Sequence, residues 1–310
     1  MKRKVLLLAF AVVFAALCVL TLAVCKKVKT IVKTIDNNND SIITREYILF
    51  GEYPQTVKAD DVDITDTTDS RGYYLGSDGA YYAKVTANPE SNQKFTTGAT
   101  ITRGTIYYFK VEPIKWRILE KADGKATLLC EMIIDAHRFD DSSNNYKESE
   151  IRAWLIGEFY ETAFNDLEQQ MINTVLVKND ARSTNPDNNA SEWNGGANQY
   201  ACEDTYDKVF LLSMQEVTKE GYGFATDPSV SDTARSKKVT NYARANYADV
   251  YIPSGFGSSD YAGNGLWWLR SPYYSSGVWS IGRSGYSKYS SIGGSGEGYN
   301  GIAPALQITL

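Results

Sequence analysis

The chain has 310 residues, and 32 Lys+Arg face 37 Asp+Glu for a formal net charge of −5. With Lys2, Arg3 and Lys4 set aside the body is more acidic still, which excludes nucleic acid as its main partner because phosphate binding needs clustered cations. The lone histidine, His137, excludes zinc sites built on two or three histidines and routes any serine- or cysteine-based triad through one residue.

Val5 to Val24 are twenty uncharged, mostly apolar positions, enough to span a bilayer core as a helix. Residues 1–25 are therefore expected to be a signal anchor or a signal peptide, with membrane contact through residues 5–24. Ala23-Val24-Cys25 also suits cleavage, and Cys25 suits lipidation. Lys26, Lys27, Lys29 and Lys33 after the run weigh against export on charge alone. Residues 26–44 repeat Val-Lys-Thr-Ile and reach an Asp/Asn cluster, which reads as a tether or a short paired stalk. The segment 45–310 reads as one α+β domain.

Within it, Asp60, Asp61, Asp63, Asp66 and Asp69 miss the spacing of a calcium loop and read as a solvated loop. Val111–Leu119 and Ala126–Ile134 read as strands joined by an Asp123-Gly124 turn, with Trp116, Ile118, Leu128 and Cys130 on one buried face. Ile151, Trp154, Leu155, Phe159 and Ala163 form a helical apolar stripe. Asn165 with Glu168, and Ser213 with Glu216, mark two further capped starts. Residues 179–202 read as a loop and Tyr242–Tyr247 as a helix. Trp116, Trp154 and Trp268 are expected in the core.

Residues 254–301 hold 12 Gly, 12 Ser and 6 Tyr with only five charges. Tryptophans and alternating apolar residues predict folded strands with long loops. Tyr, Ser and Gly also dominate antibody paratopes, since tyrosine offers large amphipathic contact at low entropic cost. Tyr273, Tyr274, Trp279, Tyr286 and Tyr289 are the candidate contact residues, with Arg283 as charged partner. Tyr273, Tyr274, Tyr286 and Tyr289 are expected exposed and on one face; sheet cover is the alternative use of these rings.

No phosphate loop, dinucleotide fingerprint or zinc-protease motif occurs, and no cofactor or metal site is expected. Ser91 with Lys94 is a coincidental match, and His137 reads as a strand-end residue. Asp140, Asp141, Glu148 and Glu150 are the carboxylates available to a hydrolase, although acidic residues at a helix start already suit the macrodipole. Cys130 and Cys202 are either one disulfide or free thiols.

The chain resembles a largely exported bacterial family called domain of unknown function 6273, over roughly 47–308. The resemblance rests on Phe50-Gly51-Glu52-Tyr53-Pro54-Gln55, Ile114-Lys115-Trp116-Arg117-Ile118-Leu119 and Ser149-Glu150-Ile151-Arg152-Ala153-Trp154-Leu155. Phe210-Leu211-Leu212-Ser213, Trp267-Trp268-Leu269-Arg270-Ser271-Pro272 and Gly301-Ile302-Ala303-Pro304-Ala305-Leu306 complete it. Ala303 stands where that family usually has arginine. The order of elements resembles in turn the C-type-lectin-like fold of the formylglycine-generating enzymes. That implies antiparallel strands, two main helices and long loops, without the copper chemistry, because Cys130 and Cys202 lack its motif. The resulting expectation is a membrane-tethered binding module of the bacterial envelope, not an enzyme, recognising a glycan or protein outside the cell. An envelope scaffold and a carboxylate-dependent cell-wall enzyme are the alternatives.

Overall fold

A two-residue Asp-Gly turn matches the twist of the strands it joins when both residues take positive φ. Asp123 and Gly124 do so, at 51° and 70°. The strands on either side pair with Trp116 opposite Cys130 and Ile118 opposite Leu128, as the alternating pattern requires. The computed structural model describes residues 29–37, 41–188, 197–253, 259–291 and 299–310.

Sixteen strands are present among these residues: β1 (Lys29–Asn37), β2 (Ser41–Val57), β3 (Ile64–Thr68), β4 (Tyr74–Gly76), β5 (Tyr81–Thr86), β6 (Ile106–Ala122), β7 (Lys125–Cys130), β8 (Asp135–Arg138), β9 (Val175–Val177), β10 (Thr205–Asp207), β11 (Val209–Phe210), β12 (Trp267–Tyr273), β13 (Gly277–Ile281), β14 (Ser287–Ser291), β15 (Tyr299–Ile302) and β16 (Ala305–Thr309). The larger sheet runs β11-β16-β7-β6-β5-β4-β3, and β2 lies along β6 with β1 on its outer side. The β1–β2 hairpin covers the stretch read as a tether. The second sheet runs β14-β13-β12-β15-β8, and β9 pairs only with β10. Among the described residues every pairing between named strands is antiparallel except β12 with β15, where Trp267 faces Gly301.

The helix over 150–163 starts at Ser149, whose hydroxyl accepts from Arg152 N. It passes through a wider π turn at Leu155–Phe159 and continues as Tyr160–Ala163. Its buried side meets the face of the larger sheet that carries Trp116: Phe159 lies 5.3 Å from Tyr53, and Phe164, just past the helix, 5.4 Å from Phe50. Gly51 is obligatory there, since its φ is +67° and a Cβ would fall 2.5 Å from the Phe164 ring. Trp116 and Trp268 are fully buried, whereas Trp154 is only half-buried, lying against His137 and Phe159.

The expected α+β, C-type-lectin-like architecture with two main helices is overturned, because strand accounts for 39% and helix for 18%. Two physical causes stand out. The end of the stretch read as a tether is taken up into β2, and the strand read at Val111–Leu119 extends at both ends into β6, so that each is 17 residues long. Register shifts along β2 let them run through Pro54 and Pro113. The second helix meanwhile stays short. Asn165 and Glu168 do make the capping box, but the helix ends at Met171, where Ile172 bridges to Ile308 and Asn173 N donates to Gln307 O. The Ser213–Glu216 box likewise opens only one tight turn, Glu216–Thr218, and the 242–247 helix is Asn241–Ala245. The helix expected within residues 1–25 lies outside the described residues. Among those described, no helix is long and apolar enough to cross a membrane.

Candidate functional site

The candidate contact residues divide into two groups. The first stands on β12, β13 and the edge strand β14. Trp279 of β13 faces Tyr289 of β14, so both rings project from one side of the sheet. Tyr273 ends β12 and stacks on Tyr289 with centroids 4.5 Å apart and planes at 16°. Its edges meet Tyr274 at 4.5 Å and Trp279 at 4.6 Å. Trp279 is 6% exposed, so it is the floor of the cluster and not a contact residue. Tyr289 is 55% exposed, Tyr274 42%, and Tyr273 is half-buried. Burial, and the neighbouring Tyr274 hydroxyl, raise the Tyr273 phenol above its ordinary value.

The turn joining β12 to β13 holds these rings in place. Tyr274 has φ +51°, a conformation that costs a bulky residue about 1–2 kcal/mol. The surroundings enforce it. The buried Asn144 donates through Nδ2 to Tyr274 O and, at 3.2 Å, to Gly277 O. Asn144 is fixed in turn by the Asp140 loop, where Asp140 accepts from the amides of Ser142, Ser143 and Glu150. Asp140 is thus engaged as a cap, and Asp141 is paired with Arg138. Strain held by a buried anchor is a mark of a positioned surface.

Arg283 and Tyr286 belong elsewhere. Tyr286 lies flat on Gly282, where a Cβ would fall 2.7 Å from its ring. With Tyr251, Tyr261, Leu266 and Lys288 they line a cleft of about 190 Å³. Lys288 and Tyr289 are successive residues of one strand, so the cleft and the tyrosine cluster use opposite faces of β14. Arg283 is not a free charge, since its Nη2 lies 2.7 Å from both Asp249 carboxylate oxygens. The expected grouping of Tyr286 with the other three tyrosines is therefore corrected. Asn144, Asp249, Tyr251 and Tyr261 carry no local motif and are brought in only by tertiary contacts.

The motif residues are mostly explained by the fold. Trp116, Trp267 and Trp268 donate their indole N–H groups to Phe50 O, Arg235 O and His137 O at 2.7, 3.0 and 2.9 Å. Arg152 pairs with the buried Asp207 at 2.6 Å, and Arg270 with Glu216. Ala303 is buried. Cys130 and Cys202 are free thiols, and burial pushes Cys130 up to about 12. Among the described residues no group of three or more His, Cys, Asp or Glu side chains is placed to hold a metal ion.

The sequence profile described as "Domain of unknown function (DUF6273)" matches residues 123–310. Four of the six motifs fall inside that range, and those at 50–55 and 114–119 precede it. No curated protein and no solved structure matches the chain.

Proposed function

We propose, for a chain that belongs to the DUF6273 family, that it is a binding module whose β12–β14 tyrosine cluster is a platform for carbohydrate. The observation that carries this reading is the exposed Tyr289 ring, stacked on Tyr273 and floored by the buried Trp279. A pre-stacked ring loses little freedom on binding, and its open face suits the C–H side of a sugar. Ser275, Ser276 and Ser291 lie exposed beside it as hydroxyl partners. Protein ligands are less well served. A stable interface buries about 800 Å² a side, whereas three part-exposed tyrosines present on the order of 300 Å².

Display outside the cell is part of the proposal and rests on the apolar run Val5–Val24. The test is a glycan array probed with the full chain and with a Tyr274→Ala/Tyr289→Ala variant. Both side chains are exposed, so the variant should keep its melting temperature and lose array binding. Retained binding by this variant, with loss in Tyr286→Ala, would move the site to the cleft. Binding to protein probes and to no glycan would overturn the carbohydrate assignment.

A further inference from the structure

The other face of the larger sheet carries an arrangement that the tyrosine platform does not use. Arg117 of β6 lies opposite Tyr47 of β2, so the two share a face, and Arg45 is two residues from Tyr47 on that same face. Lys115, two residues before Arg117, places its ammonium 3.9 Å over the Tyr47 ring. The turn Gly221-Tyr222-Gly223 covers part of this face. It bounds a cavity of about 360 Å³ lined also by Arg45, Arg117 and Lys121.

Arg117 is 3% exposed, yet only one corner of its guanidinium is used. Nη1 donates to Ala234 O at 2.9 Å, and the Phe224 ring lies 4.6 Å from Cζ. Nε and Nη2 have no hydrogen-bond acceptor. These two nitrogens form one edge of the planar fork, the edge that matches two oxygens of a carboxylate or phosphate. A buried guanidinium edge without acceptors costs more than almost any other unmet polar group.

The charges around it leave an imbalance. Glu46 is paired with Lys121, and Glu120 with Lys219 at 3.5 Å. Neither Arg45 nor Arg117 enters an ion pair among the described residues. Glu131, which accepts from the Tyr47 hydroxyl at 3.1 Å, and Asp232, which pairs with Arg235 at 3.3 Å, attract Arg117 without forming an ion pair with it. Lys237 adds a buried cation, with its ammonium 2.5 Å from Cys130 O. Burial above all, with the charges of Arg117 and Arg45, pushes its amine down to about 8 despite the pull of Glu131. The cavity is walled by Arg45, Arg117 and Lys121 against Glu46 and Glu120, which leaves one cation in excess, with the buried Lys237 behind it.

We infer that this cavity is a binding site for a small oxyanion, a carboxylate or a phosphate, held by the Nε–Nη2 edge of Arg117 and by Arg45. The site is independent of the tyrosine platform. Its occupant supplies the missing acceptors and offsets the repulsion between the arginines, and it braces the Gly221–Gly223 turn against β6.

Calorimetric titration of the full chain with inorganic phosphate, sulfate and acetate tests this, each against sodium chloride at equal ionic strength. At least one oxyanion should bind saturably and raise the melting temperature beyond the chloride control. The arm that responds tells phosphate-type from carboxylate-type ligands. Arg117→Gln should raise Kd about tenfold or more, the loss expected for one charge-assisted pair. Arg45 is only partly buried, so Arg45→Gln should fold normally and weaken the same binding even if the Arg117 variant does not fold. Absence of saturable binding by all three anions would overturn the proposal. So would unchanged affinity in Arg45→Gln.

Discussion

Asp135 is a buried carboxyl group whose setting takes it far from its ordinary chemistry. It is 3% exposed and accepts from the Tyr53 hydroxyl at 2.6 Å, from Ala136 N at 2.7 Å and from Asn246 Nδ2. Burial raises its carboxyl from 3.8 to about 6, against the pull of these three donors. Between those two values the native chain keeps a proton that the unfolded chain has lost. Stability from this group is therefore full below pH 4 and declines as pH rises to 6, by about 3 kcal/mol in all. Asp135→Asn cannot ionise, so its melting temperature relative to the parent should rise by several degrees between pH 4 and pH 7. A constant difference across that range would show that Asp135 ionises at its ordinary value.

At the scale of elements, the β12–β13 turn depends on a side chain from a distant loop. Asn144→Ala would leave Tyr274 O and Gly277 O without their donor, at a cost of about 1–3 kcal/mol. Amide exchange should speed up at 274–277 well before it does in β6 or β7. Equal acceleration everywhere would mean that Asn144 supports the whole fold and not this turn. The hairpin at Asp123-Gly124, the apolar stripe of 151–163 and both capping boxes were legible in the sequence, because each is specified by neighbours a few residues apart. The parallel pairing of β12 with β15 and the truncation of the second helix by Ile308 were not, since both depend on partners more than thirty residues away. The site was legible in part. The composition of 254–301 pointed to Tyr273, Tyr274 and Tyr289. The odd separation of Tyr286 from Tyr289 already implies opposite faces of a continuous strand, a signal present in the sequence but overridden by composition.

Across the whole molecule, the two sheets share one core, and the chain passes between them from β7 to β8, from β11 to β12 and from β15 to β16. Trp116 of the larger sheet and Trp268 of the smaller belong to the same buried cluster. At Ala303-Pro304 the chain leaves β15 in the smaller sheet and enters β16 in the larger, where β16 lies between β11 and β7. Ala305, Leu306 and Ile308 are buried there. Deleting residues 303–310 opens the sheet between β7 and β11 and removes part of the common core. The deletion variant should lose its cooperative thermal transition. A variant that melted in two separate steps would show instead that each sheet is stable alone.

Strand β16 also sets a schedule. β16 leaves the ribosome after every strand it joins, so β7 and β11 wait with open edges until residues 305–309 arrive. Until then the larger sheet stays open at that point, and its unpaired edges are exposed to wrong partners.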